Sequence, residues 1–225
     1  EICNALKIAG NLSKKYDQRL SFHPGPFNIL SSPKEHVVKN SYIDLETHGQ
    51  IMDLMGMPRS HWAKINIHIG ASYGDRKSAM ERWIENFDLL PENVKTRLTV
   101  ENDDRPSLFS TKDLYHGIFK KAGVPIVFDS HHFECGPQDT SYEEAFLMAY
   151  SSWPDGIRPM CHHSNSRKRY EDPSCRSVAA HSDYYYEKFN SCGKSVDVAL
   201  ECKAKELALF EYIKKFESDP ALLAA

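Results

Sequence analysis

The sequence predicts an α/β protein: a TIM-type β/α barrel, incomplete at its N-terminal side, showing six β/α units where a closed barrel has eight. Three observations lead there. Short apolar, β-branched runs recur along the chain, each too short for a helix and each reading as a strand buried on both faces. Helical patterns separate them, and that alternation calls for parallel strands joined by right-handed crossovers. The open doubly wound sheet of nucleotide-binding proteins loses support, because neither GxGxxG nor GxxxxGK[ST] occurs.

The elements follow in order. Residues 2–14 read as a helix, and 19–22 as the first strand. A helical pattern over 44–55 carries Ile51, Leu54 and Met55. The run 65–69 is a strand, followed by a helix over 78–90 with Met80, Trp83, Ile84 and Phe87 on one face. Strand 98–100 precedes helix 113–122, which carries Leu114, Ile118 and Phe119. Strand 125–128 precedes helix 142–152, with Ala145, Phe146 and Ala149 inward. Strands at 157–160 and 196–200 follow, then a helix over 204–216 carrying Leu207, Leu209, Phe210 and Ile213. Residues 1–218 form one barrel domain. Residues 219–225 read as a tail, where Pro220 discourages continuation of the helix. Two strands of a complete barrel are expected before the first.

Composition narrows the function classes. The 225 residues carry 28 Lys+Arg against 31 Asp+Glu, a net charge of −3. That excludes a wholly basic nucleic-acid binder, but not a local basic groove. No apolar run approaches the ~18–20 residues of a membrane helix, so no membrane partner is expected. Cys3, Cys135, Cys161, Cys175, Cys192 and Cys202 are scattered and form no CxxC, which argues against a zinc ribbon or thioredoxin motif. Reduced thiols in a cytoplasmic or nuclear, intracellular protein are the expectation. No protein partner can be inferred.

The main observation is positional. Every predicted strand runs into a metal-ligand residue type: His23, His68, Glu101, Asp129 (with His131 and His132 behind it), His162 (with His163), and Glu201. A seventh candidate, His181, lies in the loop after His162. In a β/α barrel these C-terminal strand ends converge on one mouth. Taken singly, a His after a strand is more often a turn or cap residue, and Asp129 alone could simply cap the next helix. Agreement at six of six strand ends is the argument, since His, Asp and Glu make up ~15–20% of an average chain. Several carboxylates buried together need cations. A mixed imidazole and carboxylate set without thiolate suits Zn²⁺ or Mn²⁺ better than Ca²⁺. There are more candidates than one tetrahedral ion needs, so two or three ions are expected. Such a site activates a water and clamps both oxygens of a displacement at phosphorus, which makes phosphodiester hydrolysis the natural chemistry.

These motifs resemble the ultraviolet damage endonucleases, a family of barrel enzymes similar to endonuclease IV within the xylose isomerase-like superfamily. The matching segments are Arg19-Leu20-Ser21-Phe22-His23-Pro24-Gly25, Ile67-His68-Ile69-Gly70, and Leu98-Thr99-Val100-Glu101-Asn102-Asp103-Asp104. Phe128-Asp129-Ser130-His131-His132, His162-His163-Ser164, Ala180-His181-Ser182-Asp183-Tyr184, and the run from Asp197 through Glu201 to Glu206 complete the series. The resemblance implies a metal-dependent nuclease that nicks damaged double-stranded DNA immediately 5′ of a photolesion, leaving a 3′-hydroxyl and a 5′-phosphate. It implies up to three divalent ions, manganese first, with zinc and magnesium as alternatives. One ligand group would be His23, His68 and Glu101. A second would be Glu101, Asp129, His162 and Glu201, and a third His132 and His181. Glu101, Glu201 and Lys203 would carry catalysis, Lys203 by touching the phosphate.

Three departures from the family pattern are visible. Where the family has Gln and Tyr probing the duplex, this chain has Pro26 and Phe27. Phe27 keeps a ring that can stack or wedge between bases, while Pro26 lacks the amide's hydrogen bonds. Two residues before His162, the family carries a lysine near the metals and this chain has Met160. The first two strand units have no counterpart. For DNA contact, the run Arg167, Lys168, Arg169 and Tyr170 supplies positive charge and a ring near the mouth. Arg76 and Lys77 are weaker candidates of the same kind. Two other readings compete: a sugar isomerase-like barrel enzyme with one or two divalent ions, and a decayed relative that binds metal or DNA without cutting.

Overall fold

A computed structural model describes residues 1–137 and 139–217; the expected tail lies outside them. Among the described residues, five parallel strands stand in the order β1-β2-β3-β4-β5. They are β1 (Ile65–Ile67), β2 (Leu98–Glu101), β3 (Ile126–Asp129), β4 (Met160–His163) and β5 (Asp197–Leu200). Neighbours in the chain are neighbours in the sheet, as in a singly wound β/α barrel. The result is an incomplete barrel of the expected class. The register runs Ile65↔Leu98, Val100↔Ile126, Phe128↔Cys161 and Met160↔Asp197.

The expected first strand is reduced to one parallel bridge, Phe22↔Ile65. Phe22 N donates to Lys64 O and Asn66 N to Phe22 O, and pairing stops there because Pro24 and Pro26 carry no N–H. The strand expected at 157–160 begins instead at Met160. Pro159 cannot donate, and only its carbonyl joins the ladder, accepting from Asp197 N.

Helices pack outside the sheet. α1 (Ile2–Lys15) and α2 (Glu35–Leu54) precede β1. α2 starts nine residues before the sequence pattern, since its first turns are largely exposed and leave no apolar stripe. α3 (Arg76–Asp88) is capped by Asp75, which accepts from Lys77 N and Ser78 N. α4 (Glu92–Lys95) leads into β2. α5 (Thr111–Leu114) has a capping box of Ser110 and Asp113 and continues through a π turn, Tyr115–Phe119, into α6 (Lys120–Ala122). α7 (Ser130–Cys135) springs directly from β3, α8 (Tyr142–Ser151) and the short α9 (Arg167–Tyr170) flank β4, and α10 (Glu206–Phe216) follows β5. The main core lies between sheet and helices, with Trp83, Phe109, Phe128 and Phe146 fully buried.

Arg19 crosses the N-terminal end of the sheet. Its Nε and Nη2 donate to Trp62 O and His61 O. Nη1 donates to Arg158 O and to Asp197 Oδ2 at 2.8 Å. The guanidinium lies 4.5 Å from the Trp62 ring centre and 5.5 Å from that of Trp153. One side chain thus ties the first β segment to the start of the last strand.

Candidate metal centre

The site is assembled at the opposite end of the strands. Alternation along β1 puts Lys64, Asn66 and His68 on one face. Glu101 and Asp129 end β2 and β3, His162 lies in β4, Glu201 follows β5, and His23 follows the bridge residue Phe22. All six strand-end residues singled out in the sequence therefore arrive at one mouth.

Glu101 is the hub, and it is fully buried. Its Oε2 lies 3.0 Å from His23 Nε2 and 3.3 Å from His162 Nδ1, and its Oε1 lies 3.1 Å from His132 Nδ1. Asn66 Nδ2 donates to Glu101 Oε2, and Thr99 Oγ1 donates to Asn66 Oδ1, which fixes the amide's orientation. His162 Nδ1 is also 3.1 Å from Glu201 Oε1. Burial pushes the Glu101 carboxyl up, but His162, His132 and His23 outweigh it and hold the pKa well below the usual carboxylate range. His162 is pulled down by burial and pushed up by Glu101, ending at about 9. Glu201, raised by burial and lowered more strongly by His162, ends at about 2.

Beneath this group sits a cation that sequence reasoning missed. Lys64 is buried, and its Nζ lies 3.1 Å from His162 Nε2. Burial pulls the ammonium down to about 8, against the pull of Glu101 and Glu201. Met160, two residues before His162, packs instead with Val127 and Trp153 in an apolar cluster.

The donors fit divalent metal. Among the described residues, Glu101 Oε1, Asp129 Oδ2 and His162 Nδ1 are buried beside charged neighbours but without an aligned hydrogen-bond partner. An orphaned buried polar atom costs ~1–3 kcal/mol, so three together mark a place built for another charge. Glu101, Asp129 and His162 offer ligand atoms that all lie within 4.8 Å of one another, as do His23, His68 and Glu101, and His23, His162 and Glu201. The first of these sets is fully buried, and mixed imidazole and carboxylate ligation suits a divalent transition ion.

Asp129 caps the helix and is also placed to serve as a ligand. Its Oδ1 accepts from His132 N at 2.7 Å and caps α7, while Oδ2 accepts no aligned hydrogen bond among the described residues and faces the cluster. Asn102 locks that strand end, donating to Asp129 O and accepting from Asp129 N. Glu201 falls with His23 and His162 rather than with the Asp129 set. His132 touches Glu101 and lies 3.8 Å from Asp129. His181 stands at the rim with its ring 6.3 Å from that of His132, and its Nδ1 is 2.7 Å from Ser164 Oγ. Burial lowers the His181 pKa.

Around the mouth, Phe27 is 83% exposed and belongs to the turn after His23, with Pro26 beside it. Lys203 is exposed, and its backbone N donates to Ser182 O. The basic run forms α9, and much of it is already engaged. Arg169 pairs with Glu134 at 2.8 Å and Arg167 with Asp183 at 3.7 Å. Tyr170 bonds Glu187 and stacks on Tyr186 with centroids 5.0 Å apart. Lys168 is exposed. Arg76 is committed to Pro106 O, Ser107 O and Asp113, so it braces a loop.

Lys64, Asn66, Asn102 and Asp103 complete the surroundings. Lys64 and Asn66 had a legible signal: they alternate with His68 through an otherwise apolar run, as inward-facing polar residues of a barrel strand do.

Comparison with known proteins follows the same line. The model of the family described as UV-endonuclease UvdE matches residues 1–221. The UV DNA damage endonuclease of Bacillus pumilus (strain SAFR-032) is 32% identical over 219 residues, covering 93% of this chain and 65% of that protein. The crystal structure of SacUVDE superposes with a TM-score of 0.80 at 30% identity, covering 95% of this chain and 70% of that one. Endonuclease IV from Thermus thermophilus shares the fold, with a TM-score of 0.65 at 14% identity over 96% of this chain and 82% of that one. The chain spans about 65% of the length of the curated relatives it matches. It belongs to the UV-endonuclease UvdE family.

Proposed function

We propose that the chain acts, inside the cell, as a metal-dependent nuclease on UV-damaged double-stranded DNA, hydrolysing a phosphodiester bond immediately 5′ of the lesion. The observation that carries this reading is the buried Glu101 hub ringed by imidazoles and carboxylates at ligand spacing, in a chain of this family. Mn²⁺ is the first candidate ion, with Zn²⁺ and Mg²⁺ as alternatives and up to three ions bound. Such ions lower the pKa of a bound water and offset charge building on phosphate oxygens.

The chain's own residues do the rest. Glu101 would be shared between ions, with His23 and His68 on one side and Asp129 and His162 on the other. Glu201 would complete the His23–His162 side, and His132 and His181 would serve an ion at the rim. Asn66 holds Glu101 in place. Phe27, exposed beside His23, is placed to stack on or wedge between bases. Lesion-weakened stacking makes that deformation cheaper, which selects damage without reading sequence. Lys168 and Lys203 would meet phosphates, while Arg167, Arg169 and Tyr170 shape the rim. A second reading, a relative that binds without cutting, is favoured by the apolar packing of Met160 where the family has a lysine.

The test is incubation with irradiated and unirradiated duplex, with Mn²⁺ or chelator, beside Glu101→Gln. Metal-dependent nicks 5′ of the lesion, lost in the variant, support the proposal. Intact irradiated duplex despite bound metal and bound DNA would favour the non-cutting relative.

A further inference from the structure

The motif Glu101-Asn102-Asp103-Asp104 places a second carboxylate beside the cluster, and the ligand sets do not use it. Asp103 is 4% exposed. Its Oδ1 lies 3.0 Å from His68 Nδ1, a nitrogen that no other described residue engages in an aligned hydrogen bond. Oδ2 accepts from Phe109 N at 3.2 Å, and Asp103 N donates to Phe109 O at 3.0 Å. Gly136 closes the other side, where a Cβ would stand only 2.2 Å from Asp103 O. The loop between Asp103 and Phe109 is braced by Arg76 through Pro106 O and Ser107 O. The backbone of Asp103 is thus pinned and its Oδ2 engaged, which leaves Oδ1 facing His68.

We propose that Asp103 is a positioning residue for the metal centre: it holds the Nδ1–H of His68 and so presents Nε2 as the metal-binding lone pair. A neutral imidazole has one donor and one acceptor nitrogen, and the group bonded to the first decides which is left for metal. Carboxylates in this position fix ring orientation and raise ligand basicity, and their loss typically costs 10–100-fold in metal affinity. The inference rests on the proposed metal centre and adds a residue outside its ligand set.

Asp103→Asn keeps an oxygen for Phe109 N but turns a donor toward His68. Mn²⁺ titration of the full chain should show binding roughly 10–100-fold weaker in this variant, with Asp103→Glu recovering part of the loss. In a His68→Ala background the same substitution should change Mn²⁺ affinity less than about twofold, because the coupling runs through one imidazole. In the Zn²⁺-loaded wild-type chain, ¹⁵N spectra should show His68 protonated at Nδ1, a reading that does not depend on any Asp103 variant folding. Unchanged Mn²⁺ affinity in Asp103→Asn, an equal loss in the His68→Ala background, or an Nε2-protonated His68 would each overturn the inference while leaving the metal centre standing. Absence of metal binding in the wild-type chain would overturn both.

Discussion

Removing the Arg19 side chain should cost about 3 kcal/mol, because breaking one partner of a buried, hydrogen-bonded ion pair typically costs 3–5 kcal/mol. The lower end applies here. The Arg19 side chain is only 7% exposed, but its partner Asp197 is 26% exposed and keeps Arg158 at 3.1 Å. Arg19→Ala also strips a donor from the carbonyls of Trp62, His61 and Arg158. For a chain of this size, about 3 kcal/mol corresponds to a fall in Tm of roughly 6–12 °C. Urea denaturation of wild type, Arg19→Ala, Asp197→Ala and the double variant gives the coupling directly. A coupling of at least about 1 kcal/mol is expected for groups in contact. Arg19→Lys keeps the charge but not the fork, so it should recover under half of the loss. A single-variant loss below about 0.5 kcal/mol, with no coupling, would refute the claim that this side chain braces the open barrel.

Without metal, the cluster should make stability depend on pH in both directions. The folded pKa of His162, about 9, lies above its ordinary 6.5; its contribution is full below about pH 6.5 and is lost as pH rises through about 9. The folded pKa of Glu201, about 2, lies below its ordinary 4.5; its contribution is present above about pH 4.5 and is lost as pH falls through about 2. Denaturation midpoints in chelator should therefore fall on both flanks; His132 and His68 are raised as well, so His162→Gln should lessen the alkaline fall, and a fall of unchanged size in that variant would contradict the assignment. Gly136→Ala should cost about 2–3 kcal/mol by overpacking, since its Cβ would meet the backbone carbonyls of Asp103 and His132 at 2.2 and 2.8 Å. A denaturant midpoint unchanged in that variant would mean the segment yields freely.

The strand ends were legible because a parallel barrel gathers residues some thirty positions apart, and a ligand type at every strand end is a pattern that chance does not produce. The boundaries were less legible where hydrogen bonding, rather than hydrophobicity, sets them. Pro159 delays β4 to Met160, and the prolines after His23 reduce the first strand to a bridge at Phe22. The short helices α4, α7 and α9 carry too few residues to show a period. Lys64 was missed although its alternation with Asn66 and His68 marked it, because a lone lysine before an apolar run usually reads as solvated, whereas here the barrel interior takes it. The basic run at 167–170 was visible as charge, but its pairing with Glu134 and Asp183 depends on segments distant in sequence. Asp103 stood in plain sight in its motif, yet its approach to His68 exists only once β1 and β2 lie side by side.

The most direct measurement is the number of Mn²⁺ or Zn²⁺ ions held by the purified chain, counted by native mass spectrometry for wild type and Glu101→Gln. Two or three ions in the wild type, with at least one lost in the variant, are expected if Glu101 is the shared ligand of the cluster. A wild-type chain that holds none, or a variant that holds as many as the wild type, would contradict a metal centre built around Glu101.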